Sequence, residues 1–150
     1  MKTALTFIAF IVIAFAASAI GAAFPPGAWY ESLRKPPLNP PNWIFGPVWT
    51  LLYIGMGVAA ALVWRTSHSA LPIGLWAAQL ILNAVWSWLF FGLHRPGLAF
   101  VEILVLWACI LATTIAFWRV LPLAGALLLP YLAWVGFAGW LNWGLWRLNG

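Results

Sequence analysis

Negative charge is almost missing from this chain. Among its 150 residues Glu31 and Glu102 are the only acids, and charged residues of both signs make up 6%. A soluble domain carries about 25% charged residues. This chain is 65% hydrophobic with a mean hydropathy of +0.99, so it has too few polar groups to cover a water-facing surface. A soluble globular domain is therefore excluded, and the chain reads as an integral, multi-pass membrane protein. Cysteine is scarce too. The single Cys109 rules out an intrachain disulfide, and together with His68 and His94, in separate predicted loops, it forms no Cys/His metal cluster. No acid–base pair, metal cluster or nucleophile triad supports ordinary catalysis. The seven basic residues stand singly or in pairs. That excludes a nucleic-acid footprint, which needs a clustered basic face. It suits side chains placed at helix ends near lipid headgroups.

Long apolar runs are abundant. A spanning helix needs about 20 apolar residues. Five runs qualify, at about 3–23, 43–64, 71–91, 97–118 and 123–146. They predict an all-α bundle of five transmembrane helices in a single domain, 1–150. The last three connections are very short, so neighbouring spans are antiparallel. The first run has a second reading as a signal peptide, because Lys2 precedes an apolar core and Ala17-Ser18-Ala19 resembles a cleavage site. The run continues to Phe24, a full spanning length, which favours a retained helix. Lys2, Arg65 and Arg119 fall at one end and Arg34, Lys35, Arg95 and Arg147 at the other. That balance sets no orientation.

The first connection, about 24–42, is the most distinctive stretch. Six of the eleven prolines lie between Pro25 and Pro41. Proline fixes the backbone and stops helix propagation, so this connector is stiff. It carries Trp29 and Tyr30, and Trp43 and Trp49 follow. A stiff aromatic lid over a helical bundle is a way to close a pocket for a flat, apolar ligand.

Polar residues inside the spans need partners or a cavity. Gln79, Asn83 and Ser87 are spaced by four and share a helix face, with Trp86 beside them. Trp49 and Tyr53 share a face of the second span. Tyr131, Trp134 and Ala138 form a stripe on the fifth, with Asn142 beyond. Glu102, Cys109 and Thr113 mark one face of the fourth. The Gln79 stripe suits interhelical hydrogen bonding and also a polar patch in an aromatic cavity. Thirteen tryptophans exceed what interfacial belts require. Trp29, Trp64, Trp118 and Trp146 suit a belt, and Trp49, Trp86 and Trp134 suit a cavity. Glu102 is a functional or interfacial carboxyl. Pro47 and Pro130 each free a carbonyl one turn back and are expected to kink their helices. The small pairs Ala14/Ser18, Ala17/Gly21, Gly57/Ala61 and Gly74/Ala78 are four apart, which allows close helix approach within a monomer or across a homodimer.

Two long stretches carry a specific resemblance. Trp29-Tyr30, Leu33, Lys35-Pro36, Pro40-Pro41 and Trp49 resemble the first-loop signature WYxxLxKPxxxPP…W of the tryptophan-rich sensory protein/translocator protein family. Pro130-Tyr131-Leu132-Ala133-Trp134, Phe137-Ala138 and Leu141-Asn142 resemble its fifth-helix signature PYxxWxxFAxxLN. Gln79, Asn83 and Phe90-Phe91-Gly92 match its third helix. The resemblance implies a five-helix bundle, often a homodimer, that binds porphyrins such as protoporphyrin IX or haem, and synthetic isoquinoline or benzodiazepine ligands. No obligatory cofactor is implied. Carried over by position, Tyr30, Pro40, Trp49, Tyr53, Asn83, Trp86, Trp134 and Ala138 line the pocket. Gln79 is expected to add a polar contact, and Arg34 and Lys35 to pair with porphyrin carboxylates. Trp49 and Trp134 match tryptophans implicated in light-dependent porphyrin degradation. A sterol motif of the form L-N-Y-x-x-x-R is incomplete here, because Trp143 stands in the tyrosine position.

Overall fold

The computed structural model describes residues 2–150. Every element is a helix: α1 (Lys2–Ala22), α2 (Ala28–Ser32), α3 (Asn42–Ser67), α4 (Ala70–Ser87), α5 (Pro96–Val120) and α6 (Pro122–Asn149). A π-helical turn, Trp88–Gly92, extends α4. With that turn included, α1, α3, α4, α5 and α6 are each long and apolar enough to cross a membrane. A bilayer offers no hydrogen-bonding solvent, so an apolar backbone must satisfy its own amides, and helices do so internally.

The five spans follow the expected order, with two extensions. Helix α3 runs on to Ser67, and α6 to Asn149, because helical geometry outlasts the apolar run at both ends. His68 stops α3 in a left-handed conformation (φ 54°), its N–H donating to the Trp64 carbonyl. Helices α3 and α6 each run unbroken through Pro47 and Pro130. The short helix α2 was not expected from a proline-rich connector. It fits in the one proline-free gap between Pro26 and Pro36.

The helices close into a ring in the order α1, α3, α6, α5, α4, with every neighbouring pair antiparallel except α4 and α1, which run parallel, and with α5 against α6 the most extensive packing. The end holding the α1–α3 connector also holds the C-terminus of α6 and the start of α5. The half of the bundle away from this end is densely filled. Met56, Ala60, Val63, Trp76, Ile110 and Phe117 are almost fully buried there. Trp76 packs edge-on to Phe10 at 5.5 Å and donates its indole N–H to the Met56 carbonyl at 3.2 Å. Among the small pairs, Gly57 touches α1 so closely that a Cβ would come within 2.6 Å of Ile11 Cα. Ala14, Ala17 and Ala61 are buried with it, whereas Gly74 and Ala78 face outward.

Candidate functional site

Beneath the connector the ring opens into a cavity of about 530 Å³. Three helices supply most of its aromatic wall. On α3, Trp49 and Tyr53 lie one turn apart with ring centroids at 5.7 Å. On α6, Trp134 stands edge-on to Phe45 at 6.0 Å. On α4, Trp86 stacks on Phe90 at 5.1 Å and meets Phe91 edge-on. The π-helical turn makes this last cluster possible. Its Leu93 N–H reaches back to the Trp88 carbonyl (2.8 Å), and the wider turn brings both Phe90 and Phe91 against Tyr30.

Tyr30, on α2, is the lid residue and is buried. Several contacts fasten the lid. Lys35 Nζ donates to the Tyr30 carbonyl at 3.0 Å, reaches the Glu31 and Leu33 carbonyls, and sits 4.7 Å above the Tyr30 ring. It therefore ties down the carbonyl end of α2. The Asn149 amide clasps the Arg34 backbone in both directions, accepting from its N–H and donating to its carbonyl, each at 2.8 Å. Asn42 donates to the Glu31 carboxylate at 2.9 Å. Trp29 lies flat on His94 at 4.3 Å. Pro36 rests on Gly144, where a Cβ would come within 2.9 Å of the proline ring.

The floor is a chain of buried hydrogen bonds. Tyr53 donates its hydroxyl to Asn83 Oδ1 (2.8 Å), Asn83 Nδ2 donates to the Tyr131 hydroxyl (2.8 Å), and Tyr131 donates to Gln79 Oε1 (2.6 Å). At the level of the wall, Asn142 accepts from Trp86 Nε1 (2.9 Å) and donates to the Pro96 carbonyl (2.8 Å), joining α4, α5 and α6. These bonds resolve the two roles open to the polar stripe. Asn83 serves both, since it glues the bundle and lines the cavity.

Seven of the expected residues line the cavity together: Tyr30, Trp49, Tyr53, Asn83, Trp86, Trp134 and Ala138. Two do not. Gln79 lies below the floor with 1% exposure, and its carbonyl oxygen holds Tyr131. Pro40 sits in the connector outside the lining, and its neighbour Asn39 takes the lining position. Arg34 and Lys35 also lie outside the lining, which contains no charged side chain. Lys35 is instead engaged with loop carbonyls. Glu102 is outside the lining as well, and its buried oxygens have no hydrogen-bond partner among the described residues. Sequence reasoning missed the contribution of α1, whose Ser18 and Gly21 line the cavity. The signal was the Ala17/Gly21 spacing, which reads as packing alone. The exposed lining residues form the rim of the mouth. They are Ala22 at the end of α1, Pro25 and Pro26 after it, and Asn42, Gly46 and Thr50 on α3.

Comparison with known proteins now fixes the family. The sequence model of the TspO/MBR family matches residues 7–147. The chain belongs to the TspO/MBR family. It is 42% identical to the protein CrtK of Rhodobacter capsulatus, over 95% of this chain and 92% of that protein. It is 44% identical to the human translocator protein, over 81% of this chain and 75% of that protein. It is 43% identical to the tryptophan-rich protein TspO of Chlorobaculum tepidum, over 99% and 98% of the two chains. The matched span includes the connector, the π-helical turn and the whole aromatic wall. Like other members of the TspO/MBR family, the chain is an integral membrane protein.

Proposed function

We propose that this protein is a membrane receptor for a flat aromatic ligand of the tetrapyrrole class, bound beneath the first connector in a transport or sensory role. The observation that carries the reading is a largely apolar cavity walled by nine aromatic side chains, closed below by packed core and above by a fastened lid. Its volume falls within the roughly 300–1,000 Å³ of small-molecule sites, which are mostly apolar with few polar anchors. The macrocycle would stack between Trp49 and Trp134, with Asn83 as a polar contact. Because no charged side chain lines the cavity, porphyrin carboxylates belong at the mouth, near Asn42 and Thr50. Isoquinoline- and benzodiazepine-type ligands fit the same chemistry.

Titration of the purified, detergent-solubilised protein with protoporphyrin IX tests this, read by Soret absorbance and tryptophan quenching. Saturable binding that weakens in Trp134→Phe supports the reading. Affinity unchanged in the Trp49→Ala, Trp134→Ala double variant refutes the site.

A second reading rests on the same two indoles. Trp49 and Trp134 both face the cavity, so a bound porphyrin under light has oxidisable rings against it, which suits weak photodegradation. Equal bleaching rates in wild type and Trp134→Phe refute it. We also assign any homodimer contact to the outward Gly74/Ala78 face, since the other small pairs lie wholly or partly inside the bundle. Crosslinking through cysteines placed on that face checks it.

A further inference from the structure

A second concavity lies on the outside of the bundle, backing onto the cavity under the connector across Ile103 and Val135, which line both. It is a groove of about 440 Å³ between α5 and α6. Gly136 and Gly139 make its floor, and Trp107, Trp140 and Trp143 stand along it. Each of these indoles is more than one-third exposed, at 37%, 42% and 37% respectively. The groove therefore faces the acyl chains of the bilayer. Its depth comes from the glycines. A Cβ on Gly139 would meet only Ile103 Cγ2, at 3.7 Å, an ordinary contact. The lining on α6 runs from Val135 to Trp143, roughly 12 Å along a helix.

The upper end of the groove is marked by charge. Arg147, one turn past Trp143, holds its guanidinium 4.6 Å over the Trp143 ring. A cation resting on an interfacial tryptophan sits where headgroups begin. Arg34, Lys35 and Arg95 lie at the same end of the bundle, against Glu31 as the acid of that loop. An apolar slot of this length leading to a cation at headgroup depth matches a chain joined to a phosphate.

We propose that this groove holds one acyl chain of an anionic phospholipid, with its phosphate paired to Arg147. The experiment is native mass spectrometry of the full chain, released from nanodiscs of equal phosphatidylglycerol and phosphatidylcholine. Wild type should retain one phosphatidylglycerol. Gly139→Leu, which fills the slot, should lose that adduct. Arg147→Gln should keep an adduct but lower the preference for phosphatidylglycerol by about fivefold, the ratio expected for one basic residue at an anionic surface. An unchanged adduct in Gly139→Leu overturns the proposal, and so does equal retention of the two lipids by wild type. Loss of a dimer in Gly139→Leu, in place of loss of lipid, overturns it in favour of a second copy. Protoporphyrin titration of Gly139→Leu separates the two sites. Gly139 lies outside the cavity lining, and a Cβ there would touch the lining residue Ile103 only at an ordinary 3.7 Å contact, so saturable cavity binding should persist.

Discussion

Removing one oxygen atom, by Tyr131→Phe, tests how the cavity floor is held. The Tyr131 hydroxyl is the middle of the chain, accepting from Asn83 Nδ2 at 2.8 Å and donating to Gln79 Oε1 at 2.6 Å. Tyr131 and Gln79 each have 1% exposure and lie outside the cavity lining, so water cannot replace the partner that Gln79 loses, whereas Asn83, at 7%, meets the cavity and recovers only part of its loss. Phenylalanine keeps the ring packing and leaves two amide groups short of a partner. A buried group left unsatisfied costs about 1–3 kcal/mol. Interhelical hydrogen bonds in membranes average only about 0.6 kcal/mol, because the unfolded state in lipid also finds partners. Two orphaned groups with little room to relax place Tyr131→Phe at about 1–3 kcal/mol of destabilisation. Tyr53→Phe is the comparison. It removes one terminal bond, to Asn83 Oδ1, at a residue that lines the cavity, so about 0.6 kcal/mol is expected. Unfolding in mixed micelles of rising dodecyl sulfate fraction measures both. Equal destabilisation by the two variants, or none by Tyr131→Phe, would refute the view that the network is a single linked chain.

Helix contacts and the lid give three further expectations. Gly57→Ala places a Cβ 2.6 Å from a backbone atom of α1, so overpacking of about 1–3 kcal/mol should outweigh the gain in helix propensity, whereas Gly74→Ala, with open space around it in the single chain, should stabilise the monomer by up to about 1 kcal/mol. The same micelle unfolding reads both signs. Asn149→Ala removes the clasp on Arg34, and stopped-flow release of bound ligand should quicken by about fivefold, as for about 1 kcal/mol of lid contact. Gly46→Leu sets a side chain at the rim of the mouth, so association should slow while the unfolding midpoint stays the same. Slower release with unchanged association would place entry elsewhere.

Hydropathy made the five spans legible because a bilayer admits one backbone solution, and the run lengths differ from the observed helices only at their ends. The aromatic wall was legible because Trp49/Tyr53 and Tyr131/Trp134/Ala138 recur at helical spacing. What spacing does not carry is depth along a helix. Gln79 and Asn83 lie one turn apart on one face, yet Asn83 lines the cavity and Gln79 lies beneath it. The difference is set by Tyr131 on another helix, whose hydroxyl sits between their two amides. The connector hid α2 for a similar reason. A five-residue helix has almost no intrinsic stability, and α2 persists because Lys35, Tyr30 and the Phe90/Phe91 pair hold it from outside. Lys35 misled the charge reading too, since a lysine beside a ligand site and a lysine tying down a loop look identical in sequence.

The two halves of the bundle place different demands on a ligand. Entry at the connector end displaces a lid held by individually weak surface contacts, two of them on exposed side chains. Passage along the bundle axis would have to part the Tyr53–Asn83–Tyr131–Gln79 chain. It would then have to part the layer of Met56, Trp76 and Phe117, each with 2% exposure or less. Opening that layer means exposing large side chains worth about 1.5–3 kcal/mol apiece, on top of three buried hydrogen bonds. The alternating-access devices of secondary transporters, paired broken helices at the midplane, have no counterpart in α3 and α6, which run unbroken past their prolines. Exchange through the mouth at the connector end, or laterally with the leaflet beside it, is therefore the path of lower free energy. A cavity built this way presents or senses its ligand from one side of the membrane, and any movement of that ligand across the bilayer needs a route outside the bundle axis.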